Sequence, residues 1–390
     1  MYCSGRLRFG TTESIVSETY DVIVIGLGGM GSAAAAHLAK RGQRVLGLEQ
    51  FERGHKHGSS HGVSRIIREA YFEAPEYVPL VQRAYTLWRE LEAETGRFLL
   101  TITGGLTIGT PESEFVSGSL ASVQQHNLPH EYFNADEVNE RFPGFQLPDD
   151  LVAVYEANAG YLKPEGCMLA HYHVASKHGA ELRFSEGVRS WEVSGDGVRV
   201  KTDKSEYQAD RLVIAAGPWA QQVLSDIGLP LSVRRIVNVH FRPLKRDLYA
   251  KERFPVYLMQ VPEGDYYGFP IFPGHGLKIG RHDTGEITTP ETIRRDVGVP
   301  EIEMLRSVMD RYMPGAVGEV KETLTCMYTD TPDSHFIVDL HPEHDNVAIA
   351  CGFSGHGYKF ASAIGEVLAD LAIDGESRHD IGFLSAKRFA

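Results

Sequence analysis

Cysteine is scarce in this 390-residue sequence: Cys3, Cys167, Cys326 and Cys351 lie far apart, with no C-x-x-C pair among them. That pattern excludes a disulfide framework, and with no paired ligands no metal site is expected. Positive charge is also short. Against 52 Asp and Glu there are 39 Lys and Arg, a formal net charge of −13. A nucleic-acid or anionic membrane partner is therefore not expected, although a local basic pocket could bind a small anion. Missing too is any apolar run of the roughly 18 to 20 residues that crosses a bilayer. Residues 1–19 hold no continuous apolar signal-peptide core, and a cytoplasmic address is expected. No internal repeat or low-complexity tract stands out.

What is present has the balance of a globular protein, 42% hydrophobic and 23% charged, long enough for one large or two interleaved domains. Residues 20–49 carry the clearest signal. An apolar run over residues 22–25 leads into Gly26-Leu27-Gly28-Gly29-Met30-Gly31, an alanine-rich helical segment follows to Lys40, and a second apolar run over residues 45–48 ends at Glu49. This is a β-α-β unit. Glycine permits the tight turn off the strand and lets a pyrophosphate reach the helix N-terminus, where free N–H groups favour negative charge. Glu49, about 20 residues on, can accept hydrogen bonds from a ribose. Gly26, Gly28, Gly31 and Glu49 are thus candidate dinucleotide ligands.

Residues 1–19 lack periodicity and are read as a mobile extension. The segment Gly54-His55-Lys56-His57-Gly58-Ser59-Ser60-His61-Gly62 is too polar for a core element; it is either a solvated basic loop or part of the wall around the rest of the ligand. Helical spacing recurs over residues 77–96 and 112–126, around 165–178, and over 300–312. Short alternating strands are predicted near residues 188–193, 198–202 and 206–209, with a separate buried strand over 211–217 returning to the first sheet and bringing Gly217 to the cofactor. Between residues 232 and 281 alternating strands predict an antiparallel sheet. Further on, Gly352-Phe353-Ser354-Gly355-His356-Gly357 precedes a helix and forms a second loop able to present N–H groups to an electron-rich ligand atom. A nicotinamide protein has no need of this loop, whereas a flavin, with negative charge on its reduced ring, does.

Three motifs carry a resemblance: Gly58-Ser59-Ser60-His61-Gly62 with Ser64-Arg65-Ile66-Ile67-Arg68; Cys326-Met327-Tyr328-Thr329 with Thr331-Pro332-Asp333; and Gly352-Phe353-Ser354-Gly355-His356-Gly357-Tyr358-Lys359. Together they resemble the monomeric sarcosine oxidase family, which includes N-methyltryptophan oxidase and pipecolate oxidase, over about residues 20–389. The resemblance implies an α/β (α+β overall) protein. A Rossmann-like FAD-binding domain with a mostly parallel sheet (residues 20–90, 155–225 and 326–390) would interleave with a substrate domain on an antiparallel sheet (91–154 and 226–325). The implied reaction is oxidation of a secondary amino acid by O₂ to an imine and H₂O₂. The implied partners are that amino acid and O₂, and a monomer is expected.

The resemblance also implies residue roles. Cys326 matches the cysteine bonded to the flavin, where a lone cysteine would otherwise read as an inert buried thiol. Lys278 matches the oxygen-activating lysine, whose ammonium stabilises the superoxide formed by the first electron transfer; without the match it reads as a surface lysine. Arg65 matches the arginine near the flavin ring, and His282 a pocket histidine that could equally be structural. Arg68 and Lys359 match the pair that holds the substrate carboxylate, and Tyr267 and Tyr328 match aromatic pocket walls. Ser59, His61, Gly355, His356 and Gly357 belong to the cofactor loops. Departures from the family pattern include Ser59-Ser60-His61, Tyr358, Cys351 and Arg281. The Ser59-Ser60 version lies nearer the pipecolate branch and the stretch over residues 278–282 nearer the sarcosine and methyltryptophan branches. A cyclic imino acid substrate, or a dehydrogenase passing electrons to another acceptor, remains an alternative.

Overall fold

The structure, a computed structural model, describes residues 19–389; the extension expected over residues 1–19 lies almost wholly outside them. The apolar runs flanking the glycine turn form the parallel strands Thr19–Ile25 and Val45–Leu48, joined by the helix Gly29–Lys40. They sit inside an eight-stranded sheet. Its hydrogen-bonded path runs Val188–Ser194, Gly197–Thr202, Glu206–Ile214, Thr19–Ile25, Val45–Leu48 and Glu181–Arg183. His344–Cys351 pairs with Glu206–Ile214 in parallel and carries Ile337–His341 at its outer side.

Glu206–Ile214 is one strand where the sequence pattern predicts two. Asp210 and Arg211 interrupt the apolar pattern, but the hydrogen bonds continue through them along Thr19–Ile25. On its other side the strand changes partner: residues 206–209 pair antiparallel with Gly197–Thr202, and residues 212–214 pair with His344–Cys351. The predicted meander is therefore continuous with the nucleotide sheet.

Both faces of the parallel part are covered, as its near-continuous apolar strands require. Val22, Val24, Val45 and Val213 point to one face, beneath the helices Gly29–Lys40, Val78–Thr95, Pro164–Lys177 and Ala361–Asp374. Ile23, Ile25, Leu46 and Ile214 point to the other, beneath the meander. The helix Gly29–Lys40 packs through consecutive buried alanines, Ala33 to Ala36, which allow close approach of Ala361–Asp374 and Pro164–Lys177.

The second sheet has nine strands. Its path is Glu286–Thr288, Ser232–Phe241, Gly276–Arg281, Gly264–Phe272, Val256–Val261, Gly105–Gly109, Val152–Glu156 and Glu131–Asn134. It is antiparallel except where Val256–Val261 meets Gly105–Gly109 in parallel. The strand Val320–Asp330, not anticipated from the sequence, pairs with Ser232–Phe241 along its whole length. Its first half, Val-Lys-Glu-Thr-Leu, alternates in burial and carries charge, which masks a buried second half. As a result residues 326–330, expected among the FAD-binding segments, are hydrogen-bonded into the antiparallel sheet. Residues 155–156 behave the same way, because Val152–Glu156 pairs with Gly105–Gly109.

A small antiparallel sheet, Arg65–Ile67, Gly160–Leu162 and Leu100–Ile102, completes the architecture and places Arg65 at the junction of the larger sheets.

Candidate active site

The first turn of the β-α-β unit is shaped by close approach. Gly26 has φ +86°, and a side chain there would meet the Ala215 carbonyl oxygen at 2.5 Å. A side chain at Gly31 would run into the Gly26 carbonyl oxygen. These two glycines bring the helix start against the strand end. Glu49 is buried and fixed: its carboxylate accepts from Leu27 N at 2.9 Å and from Phe51 N at 3.2 Å. The Ser60 hydroxyl accepts from Gly29 N at 3.0 Å, and Ser59 donates from its hydroxyl to the Met327 carbonyl at 2.7 Å. The polar loop around residues 58–62 is therefore folded across the turn and tied to the second sheet.

Beneath this loop runs a cavity of about 400 Å³. Gly26, Gly28, Glu49 and Ser59 line one part, and Gly217, Cys326, Gly355 and Gly357 line the rest. A second cavity of about 70 Å³ continues beyond it, with Arg65, Cys326, Tyr328, Gly355 and Tyr358 common to both walls. The first has the glycine turn, the fixed acid and the helix N-terminus that a dinucleotide needs, so the residues present fit FAD.

The second cavity is lined by Arg68, Glu73, Tyr267, His282, His356 and Lys359, among others. Arg68 donates to the Ala70 carbonyl at 2.6 Å and to Glu73 at 2.5 Å, with its guanidinium over the Tyr71 and Phe72 rings. Burial alone would raise the Glu73 carboxyl, but Arg68, His356 and Lys359 outweigh it and bring its pKa down to about 2. Lys359 donates to the His356 carbonyl at 2.6 Å. Burial, helped by Arg68 and opposed by Glu73, lowers Lys359 to about 7, so its charge is sensitive to what enters the pocket. His356 hydrogen-bonds Tyr71 through Nδ1 and the Ser334 carbonyl through Nε2, and burial lowers it to about 3. His356 thus braces the charged pocket and does not line the dinucleotide cavity.

His282 Nδ1 lies 3.3 Å from the Tyr328 hydroxyl, and burial lowers its pKa to about 4, leaving a neutral ring in the pocket wall. The Tyr267 hydroxyl donates to Asn238 at 2.8 Å. Arg65 spans both cavities, donating to the Ser64 and Ser59 carbonyls at 2.8 Å each, with Nη2 3.5 Å from Cys326 Sγ. Cys326 is therefore a cavity residue beside a cation. The inert-thiol reading fits Cys351 and Cys167 instead, where burial pushes the thiol up, to about 12 for Cys351.

Lys278 lines neither cavity. It is 2% exposed, which removes the surface-lysine reading. Its ammonium donates to the Gly62 carbonyl at 2.8 Å and the Ser64 carbonyl at 3.2 Å, with the Phe269 ring 4.8 Å away. Burial and then Arg65 push its pKa well down. His61 also departs from expectation. With Ser59 and Ser60 tied towards the cofactor cavity, the His61 ring faces a third cavity of about 560 Å³ on the other side of the loop, and its Nε2 has no hydrogen-bond partner among the described residues.

Sequence reasoning missed Glu73, the acid that holds Arg68 in place. Its separation from Arg68 fits no helical or strand rule, because both residues lie in irregular chain around the strand Arg65–Ile67.

A fixed dinucleotide acid, a glycine turn and a cation-lined pocket opening off the cofactor cavity describe an FAD-dependent oxidoreductase. The chain belongs to the family described as DAO, FAD dependent oxidoreductase, whose model matches residues 21–371. It is 47% identical over 380 residues to a monomeric sarcosine oxidase of Streptomyces avermitilis, covering 96% of this chain and 99% of the relative. It is 36% identical to an N-methyl-L-tryptophan oxidase of Yersinia pestis, covering 95% and 99%. Among solved structures, NikD, an unusual amino acid oxidase essential for nikkomycin biosynthesis, superposes with a TM-score of 0.83 at 27% identity, over 95% of this chain and 98% of that one. The expected family and fold class are both confirmed. Among the described residues no helix is long and apolar enough to cross a membrane.

Replacing Glu73 by Gln leaves Arg68 buried without its counter-charge and should destabilise the protein by about 3 kcal/mol in urea unfolding. Because the Glu73 carboxyl is depressed from 4.5 to about 2, its contribution is fully present above about pH 4.5 and lost as the pH falls towards 2. The variant should therefore show a weaker loss of stability across that window than wild type.

Proposed function

We propose that the protein oxidises the C–N bond of a small secondary amino acid, sarcosine or another N-methyl amino acid, to the imine while O₂ becomes H₂O₂. The observation that carries this reading is the meeting of the two cavities at Arg65, Cys326 and Tyr328, with Arg68 and Lys359 on the far side. Bound FAD would accept the electrons from the substrate and deliver them to O₂. Arg68 and Lys359 would hold the substrate carboxylate, one with a planar fork and the other with a compact ammonium. An entering carboxylate adds a negative charge beside Lys359 and favours its protonated form. Arg65 would favour the deprotonated substrate amine, and Tyr267, His282 and Tyr328 would close the pocket around the N-methyl group. The names of the curated relatives support this substrate class and a monomer. The second cavity, between Arg68, Lys359, Tyr267 and Tyr328, is where this substrate would sit.

Cys326 is the residue for covalent attachment, supported by its place in both cavities. Lys278 is the residue for oxygen activation: its buried ammonium lies against the carbonyls on either side of Val63, in the loop that leads into the strand carrying Arg65.

A peroxide-release screen tests the function. Sarcosine and other small N-methyl amino acids should give peroxide and dimethylamine almost none, because loss of the carboxylate leaves buried cations unpaired. Equal turnover of the decarboxylated analogue removes the carboxylate clamp; reduction seen only with an artificial acceptor would make the protein a dehydrogenase.

Acid precipitation tests attachment. Yellow colour should stay with the wild-type polypeptide and pass to the supernatant in Cys326→Ala, while Cys351→Ala and Cys167→Ala behave as wild type.

For Lys278→Met, reoxidation of the reduced enzyme by O₂ should slow by about two to three orders of magnitude in stopped flow, with anaerobic reduction by substrate changed much less. An unchanged reoxidation rate moves the oxygen site elsewhere.

A further inference from the structure

The third cavity, on the far side of the loop from the cofactor, borders a cluster that the proposed oxidation does not use. His240, His275 and Glu322 bring one ligand atom each to within 4.8 Å of one another. They come from three separate elements: His240 from the strand Ser232–Phe241, Glu322 from Val320–Asp330, and His275 from the turn before Gly276–Arg281. His240 and Glu322 stand directly opposite each other in the sheet, and the turn closes over them with His275 Nδ1 2.7 Å from Glu322.

His240 gives the independent sign of a ligand. It is fully buried, and neither ring nitrogen has a hydrogen-bond partner among the described residues. A buried imidazole with both nitrogens unmet is costly, and an ion on one lone pair would relieve that cost. The other two ligands lie at the rim: His275 and Glu322 keep 37% and 34% of their side-chain exposure and line the cavity of about 560 Å³, which gives an ion a way in.

We propose that His240, His275 and Glu322 form a binding site for a divalent transition-metal ion, with zinc the best match. Two imidazoles and one carboxylate suit zinc, and the cavity supplies the fourth position for water. The ligand atoms, within 4.8 Å of one another, would draw together around the ion to the ~2.1 Å of zinc–ligand bonds. The ion replaces the hydrogen bond between His275 and Glu322 and satisfies a nitrogen of His240 that otherwise has no partner. On the neighbouring strand His240 also stands opposite Lys278, so the ion lies one strand position from the lysine proposed to activate oxygen.

Holoenzyme stripped with a chelator and desalted should bind one equivalent of Zn²⁺ per chain, seen by calorimetry and by elemental analysis after gel filtration. His275→Ala and Glu322→Gln should each weaken that binding by at least about tenfold. Both side chains lie at the rim, and unchanged circular dichroism and flavin content would show that the variants are folded. Failure of wild type to bind one saturable equivalent overturns the proposal, as does wild-type affinity in either variant. The readout is metal content, so the result stands apart from whether the enzyme oxidises sarcosine.

Discussion

Burying positive charge next to a cofactor is the constraint on which the rest of this site depends. Four cations, Arg65, Arg68, Lys278 and Lys359, lie at or beside the two cavities, and each must replace its hydration with oxygen atoms of the protein. Main-chain carbonyls do most of this. Ser59 and Ser64 hold Arg65, Gly62 and Ser64 hold Lys278, Ala70 holds Arg68, and His356 holds Lys359. Irregular chain over residues 58–64 can turn carbonyls inward where a regular strand would spend them on its neighbours, which is a physical reason for that segment to have glycine and serine in place of a strand pattern.

Among the described residues, one of the four cations has a carboxylate in direct contact. Glu73 neutralises Arg68 and leaves Lys359 dependent on carbonyl dipoles, so the pocket is short of negative charge. In the proposed function a substrate carboxylate would meet that deficit and an amine without one would not, so selectivity for an amino acid over a simple amine would come from incomplete compensation as much as from shape.

The nucleotide half was legible because its signals are local. Gly26, Gly28, Gly31 and Glu49 lie within one β-α-β unit, and strand period, helix period and glycine turn agree there. The residues proposed for the chemistry, Arg65, Arg68, Lys278, Cys326 and Lys359, were reached through resemblance, since no local pattern distinguishes a pocket lysine from a surface one. What escaped was set by pairing across distance. The strand Val320–Asp330 is half charged and looks like a loop until Ser232–Phe241 is laid beside it. The His61 ring is turned by hydrogen bonds from its neighbours, and sheet register sets His240 opposite Glu322 while a turn brings His275 over them, which a search for closely spaced ligands cannot see.

The parallel pairing of Thr19–Ile25 with Glu206–Ile214 and of the latter with His344–Cys351 has a consequence for biosynthesis. Thr19 lies opposite Gln208, so at the roughly 5 to 20 residues per second of translation the first strand waits about 10 to 40 seconds for its partner to be made. For that interval the apolar stretch from Val22 to Ile25 has one strand beside it, Val45–Leu48, and an open edge on the other side. The nascent chain is then exposed longest when translation is slowest, and chaperone capture of the first two hundred residues should raise the yield of folded protein.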